Sequence, residues 1–215
     1  MLKVLLDTNI VAHADGEDVV PGPISNHPLV GTLQEFNCVD RLPKDKFLRK
    51  QVPFLWGIAR DHKSTDVEFY SSDINDLEYI YVDRIPGPPR SVRDMLRPKI
   101  ISSGLLTHLS FALDSSSKYF SYLNTHPCPR FAEIRDAFGL THSADAALVY
   151  SAELNSLDAI LTCDTDFRGI YGHTKKQLGL RLKVMFPKEL ADHLVITPAA
   201  FLRDRSDRFP DRFWR

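Results

Sequence analysis

Five of the first six residues are apolar, Met1, Leu2, Val4, Leu5 and Leu6, and the run stops abruptly at Asp7-Thr8-Asn9. A strand with one wet face alternates apolar and polar side chains. A nearly unbroken apolar run suits a strand covered on both faces, as in a parallel sheet flanked by helices. The expected class is therefore α/β. The same reading puts Asp7 at the carboxyl end of a strand, where open α/β sheets bind their ligands. Asp, Thr and Asn are also good helix caps, and a helix starting near Ile10 would make Asp7 a cap and nothing more. What else the chain places at strand ends decides between the two.

A second strand, over 158–162, ends in the same way, at Cys163-Asp164-Thr165-Asp166-Phe167. Residues 67–72 alternate and are rich in aromatic and β-branched side chains, which predicts a strand, and Ser72-Asp73 offers a cap for a helix running to about 82. The segment SADAALVYSAEL, 143–154, reads as a helix capped by Ser143. Elsewhere the expectations are a loop over 14–27 around Pro21-Gly22-Pro23, a helix over 29–42, and irregular or short helical structure over 43–65. Beyond the Pro-rich cluster at 86–89, residues 91–140 read as two or three helices. Residues 182–185 and 194–197 read as short strands, the latter followed by a short helix at 199–202.

The length of 215 residues suits one well-filled domain. With 27 basic against 28 acidic residues, the net charge of -1 argues against a surface that is basic throughout and leaves room for a local basic groove. Cys38, Cys128 and Cys163 are odd in number, widely spaced and without a CxxC pair, so neither a disulfide framework nor a zinc site is expected. No signal-peptide order and no apolar run of membrane-spanning length is present, and the expected compartment is the cytoplasm, with no membrane partner. There is no Walker A loop, no GxGxxG and no nucleophile elbow, which disfavours P-loop nucleotide hydrolysis and serine chemistry.

The acids carry the functional reading. On a helix Asp145 shares its direction with Leu148, Val149 and Ala152, an apolar stripe where a carboxylate is costly without a partner. Either a metal ion or the favourable first-turn position accounts for it. Glu78 flanks the apolar face of its predicted helix, between Ile74 and Val82, and is equally readable as a boundary glutamate. Asp164 and Asp166 alone are compatible with turn chemistry. Together with Asp7 they make two acid-bearing strand ends plus two helix-borne acids, and convergent carboxylates are how proteins hold Mg²⁺ or Mn²⁺. His142 stands three residues before Asp145 and could orient it or touch a phosphate, but without any dense histidine pattern it is read as a surface or capping residue.

LLDTN at the start, Ser72 to Glu78, the DAALVYSAE helix beginning with Asp145, and Thr162-Cys163-Asp164-Thr165-Asp166-Phe167 occur in the order seen in PIN domains. The chain resembles PIN-domain ribonucleases, most of all the toxin-type nucleases of toxin–antitoxin pairs, and its VITPAAFL segment is similar to the way such domains end. The resemblance implies a single three-layer α/β/α domain with a central parallel sheet, here enlarged by insertions around 14–65 and 85–140. It implies catalytic acids at Asp7, Glu78, Asp145 and Asp164, with Asp73 and Asp76 as rivals to Glu78. Mg²⁺ or Mn²⁺ would be held by Asp7, Asp145, Asp164 and Asp166, with Thr8, Asn9 and Thr162 in support. The implied reaction is phosphodiester hydrolysis in single-stranded RNA, with Arg90, Arg93 and Arg97 as candidate RNA contacts. The implied partners are RNA, an antitoxin protein and a second copy of the chain. A PIN-like module that binds RNA or protein without cutting is the competing expectation. A phosphatase of the haloacid dehalogenase type is disfavoured, because it wants Asp where Asn9 stands.

Overall fold

The computed structural model describes residues 1–10, 17–27, 31–40, 45–75, 95–106 and 116–199, with only the backbone described over 17–27, 31–40 and 116–117. Glu78, Asp76, Arg90, Arg93 and the expected helix at 199–202, except Ala199, lie outside these residues. Five parallel strands form the central sheet: β1 (Leu2–Leu6), β4 (Val67–Ser72), β5 (Lys99–Ile101), β6 (Ala159–Leu161) and β7 (Lys183–Met185), in the order β5-β4-β1-β6-β7. The apolar run at the start is thus the middle strand, paired on both edges and covered on both faces. Val4 and Leu6 enter one core and Leu5 the other, as the period of two along a strand requires.

Helices cover both faces. On the Val4 and Leu6 side lie α1 (Lys46–Asp61) and, late in the chain, α6 (Pro187–Leu194), whose Val52, Leu55, Ile58, Leu190 and Ala191 pack with Phe69, Ala159 and Leu161. On the Leu5 side lie α2 (Ser116–Thr125), α3 (Pro129–Phe138), α4 (Ser143–Leu154) and α5 (Thr165–Leu178), where Tyr119, Phe131, Leu148, Val149 and Phe167 pack with Ile160. The result is an α/β protein with a parallel sheet between helical layers. Leu105 and Leu106 are buried in this second core, so these two apolar residues of the 85–140 region pack internally. Among the described residues no helix is long and apolar enough to cross a membrane.

Several expectations are corrected. Where a loop over 14–27 and a helix over 29–42 are expected, the described residues form two strands: β2 (Glu17–His27) and β3 (Gly31–Asp40) pair antiparallel as a separate two-stranded sheet. Pro21, Gly22 and Pro23 sit at a register shift between Pro21 and Ile24, where a two-stranded ribbon tolerates missing donors. The region 43–65 holds the 16-residue helix α1, capped by Asp45, whose Oδ1 accepts the Leu48 N–H at 2.8 Å. Lys99–Ile101 is a strand within a region whose sequence reads as helical, and helices α5 and α6 have no counterpart among the sequence expectations. Residues 194–197 are no strand. Leu194 ends α6 and Val195 takes the left-handed conformation that closes it, at φ 58°. Ser143 does not cap α4; it is the first helical residue, fully buried, and its Oγ has no hydrogen-bond partner.

The chain after α6 crosses α1 at closest range at Gly57. A Cβ built there would lie 2.2 Å from the Thr197 carbonyl oxygen, while the Ala199 N–H reaches the Pro53 carbonyl at 2.9 Å. Gly57→Ala should therefore destabilise the protein. Better helix propensity returns about 1 kcal/mol, but moving a backbone segment out of a packed site typically costs roughly 1–3 kcal/mol. Urea unfolding is expected to show a lower midpoint; a midpoint at or above that of wild type would mean the crossing segment moves freely.

Candidate active site

The chain leaves β1 for β4 on one side and leaves β6 for β7 on the other, so the carboxyl ends of β1 and β6 flank the switch point of the sheet. Both acid-bearing strand ends sit there. The Asp7 N–H bonds the Leu161 carbonyl at 3.0 Å, which fixes the two ends side by side. Asp7 is 5% exposed. Its Oδ2 accepts from Thr162 Oγ1 at 2.6 Å and from Asn9 Nδ2 at 2.8 Å, whereas Oδ1 receives, among the described residues, only a long 3.5 Å contact from the Asn9 N–H. Asn9 also ties the two strand ends together: its Oδ1 accepts the Cys163 N–H at 3.0 Å, and its Nδ2 approaches Thr162 Oγ1 at 3.2 Å. Thr162 Oγ1 in turn accepts the Asp164 N–H at 2.9 Å.

Asp164 caps α5, its Oδ1 accepting the N–H groups of Asp166 at 2.7 Å and Phe167 at 3.0 Å. Asp145 lies in the first turn of α4, half-buried, and its Oδ2 lies 3.1 Å from His142 Nδ1. The first-turn alternative raised for Asp145 thus describes where it sits, and the turn chemistry expected at Asp164 is a helix cap. Asp7 itself immediately precedes helical residues that begin at Thr8, with the Ile10 N–H on its carbonyl at 3.1 Å. These positions do not exhaust the carboxylates. Each of the three acids has one oxygen fixed by a donor and one oxygen that takes, among the described residues, no hydrogen bond or only the long one to Asp7.

The three acids press on one another. Burial pushes the Asp7 carboxyl up from 3.8 to about 7, against the Thr162 hydrogen bond, and the charges of Asp145 and then Asp164 push it further the same way. Asp145 is raised as well, chiefly by burial, with the His142 hydrogen bond opposing and the Asp164 charge adding. Beside them, burial and the Asp7 charge push the Cys163 thiol up to about 12, which leaves it unreactive.

Asp166 is exposed at the start of α5. Thr8 is buried and its Oγ1 accepts Asn75 Nδ2 at 3.0 Å. Asn75 is the residue sequence reasoning missed. Fully buried, it accepts from the Ser72 N–H and Oγ at 2.9 Å each and so ties the end of β4 to the turn after β1. Its spacing from Ser72, three residues, is that of a reciprocal cap and was the available signal. Asp73 points elsewhere: its Oδ1 accepts the Ser103 N–H at 2.8 Å, in the turn after β5. Arg97, exposed, lines a cavity with His62, Lys63, Val67 and Lys99, by the amino end of β4, the opposite end of the sheet from the acids. A second cavity, of about 440 Å³, runs along β7 beside Arg168, Lys175 and Lys183. Arg168 is one helical turn from Asp164.

No protein-family model matches this chain, and no curated protein matches it. The reading of the site therefore stands on its chemistry. Among the described residues no group of three or more His, Cys, Asp or Glu side chains is arranged to hold a metal ion as it stands. The donor set nevertheless suits one: three carboxylates whose negative charges oppose one another each keep an oxygen that a hard divalent cation can take.

Proposed function

We propose that this protein is a divalent-metal-dependent endoribonuclease of the PIN type, cutting single-stranded RNA, and that it acts as the toxin of a toxin–antitoxin pair. The observation that carries the reading is the arrangement of Asp7, Asp145 and Asp164 at the switch point, one oxygen of each held and the other left over. RNA as the substrate, and an antitoxin as partner, rest on the order of the sequence motifs.

In this reading Asp7, Asp145 and Asp164 hold Mg²⁺ or Mn²⁺, with Asp166 close by. The ion, when bound, supplies an activated water and neutralises charge on the phosphate. Thr162 and Asn9 fix one oxygen of Asp7, and the cap N–H groups fix one of Asp164, which limits how far these carboxylates must move to take up an ion. Glu78 is the fourth acid in the motif order and would orient the attacking water. The decisive experiment is incubation of labelled single-stranded RNA with purified protein in Mg²⁺ or Mn²⁺, with and without EDTA. Cleavage that EDTA abolishes is expected. Cleavage that resists EDTA would overturn the metal mechanism, and binding without cleavage would favour the non-cutting module.

A further inference from the structure

His142 ends the 3-10 turn Leu140–His142 and occupies the cap position of α4, yet its ring makes no capping bond to that helix. Its Nδ1 faces Asp145 Oδ2 at 3.1 Å, three residues on. With Asp145 ionised, as an ion ligand must be, the carboxylate only accepts and Nδ1 is the donor. The His142 side chain is 35% exposed, more than the 24% of Asp145. The ring therefore lies toward solvent beside the less exposed carboxylate.

We infer that His142 is a positioning residue: by holding Oδ2 of Asp145 it presents Oδ1 to the divalent cation. The inference rests on the nuclease reading of the site. Its physical basis is the repetition already described. Thr162 and Asn9 pin one oxygen of Asp7, the start of α5 pins one oxygen of Asp164, and His142 alone among the described residues does so for Asp145. Without that bond no donor among the described residues fixes the carboxylate, and its charge is repelled by Asp7 and Asp164. Fixing it removes an entropic cost from ion binding. Partners that orient metal ligands are typically worth roughly 10–100-fold in affinity.

The geometry separates this role from others through two substitutions. The Asn side-chain N–H occupies nearly the place of the His Nδ1, whereas that of Gln reaches to the place of Nε2. Mn²⁺ is titrated into the full-length protein at fixed pH by calorimetry, alongside melting of the metal-free forms. His142→Ala and His142→Gln are each expected to weaken Mn²⁺ binding by roughly 10–100-fold, with metal-free melting unchanged, and His142→Asn to restore most of the affinity. Equal affinity in wild type and His142→Ala would overturn the inference. So would equal loss in the Ala and Asn variants, which would make the ring itself a ligand. If wild type binds no Mn²⁺ at all, it is the nuclease reading that fails.

Discussion

Asp7→Asn is expected to lower RNA cleavage by about 10⁴-fold, the scale on which enzymes lose activity when one member of a set acting as a unit is removed. The substitution is nearly isosteric, and the surroundings of Asp7 can accept it. The Asn carbonyl oxygen can take over from Oδ2, accepting from Thr162 Oγ1 and Asn9 Nδ2, and its amide then falls where Oδ1 receives only the long 3.5 Å contact. What is lost is the charge and the free oxygen. Single-turnover cleavage of a labelled RNA at saturating Mn²⁺ measures the effect, with Asp145→Asn run beside it. Activity of Asp7→Asn within ten-fold of wild type would exclude Asp7 from the reaction.

β1, β4, β6 and α4 are legible because the burial pattern of each is written in consecutive residues: Leu2–Leu6 apolar but for Lys3, Ala159–Leu161 apolar throughout, Ser143–Leu154 small and apolar on nearly every side. The hairpin is hard to read because Val30, Leu33, Phe36 and Val39 recur every three residues and imitate a helix face, although Thr32, Phe36 and Val39 are well suited to a strand. The full 16-residue length of α1, in a region expected to be irregular or short helical, is hidden for the opposite reason. Pro53 and Gly57 look like breakers, while Leu48, Val52, Leu55, Trp56 and Ala59 keep one face apolar, and tertiary packing of that face overrides local propensity. At 194–197 the β-branched run suggested a strand, but Leu194 belongs to the buried stripe of α6 and Ile196 packs with Gly57.

In the site, acids at strand ends were readable from local pattern. The bonds that hold them were not, since Asn9 reaches Cys163 and Asn75 reaches Thr8 across 154 and 67 residues. Asp73 illustrates the same limit from the other side. Its neighbours in sequence made it a rival to Glu78, and only the return of the chain at Ser102 and Ser103 shows that it serves a turn.

The metal-free protein should lose stability as pH rises from about 4 to about 7, and Asp7 should account for most of the loss. Folding raises its carboxyl from 3.8 to about 7, so between those values the folded state binds a proton that the unfolded chain has released. The stability this contributes is complete below the unfolded value and disappears as pH passes the folded one. The gap, from 3.8 to about 7, corresponds to on the order of 4 kcal/mol, and Asp145, also raised, adds in the same direction. Asp7→Asn removes the titration while keeping the two short bonds, from Thr162 Oγ1 and Asn9 Nδ2, and losing only the long one from the Asn9 N–H. Urea unfolding in EDTA should therefore find the variant and wild type close together near pH 4 and the variant increasingly more stable up to about pH 7, with the difference level above that. A difference independent of pH would mean that Asp7 does not carry the strain assigned to it. Repeating the series in excess Mn²⁺ extends the argument, because the cation competes with the proton for the same oxygen. Wild type should then gain stability where the metal-free protein lost it, and Asp7→Asn should gain far less.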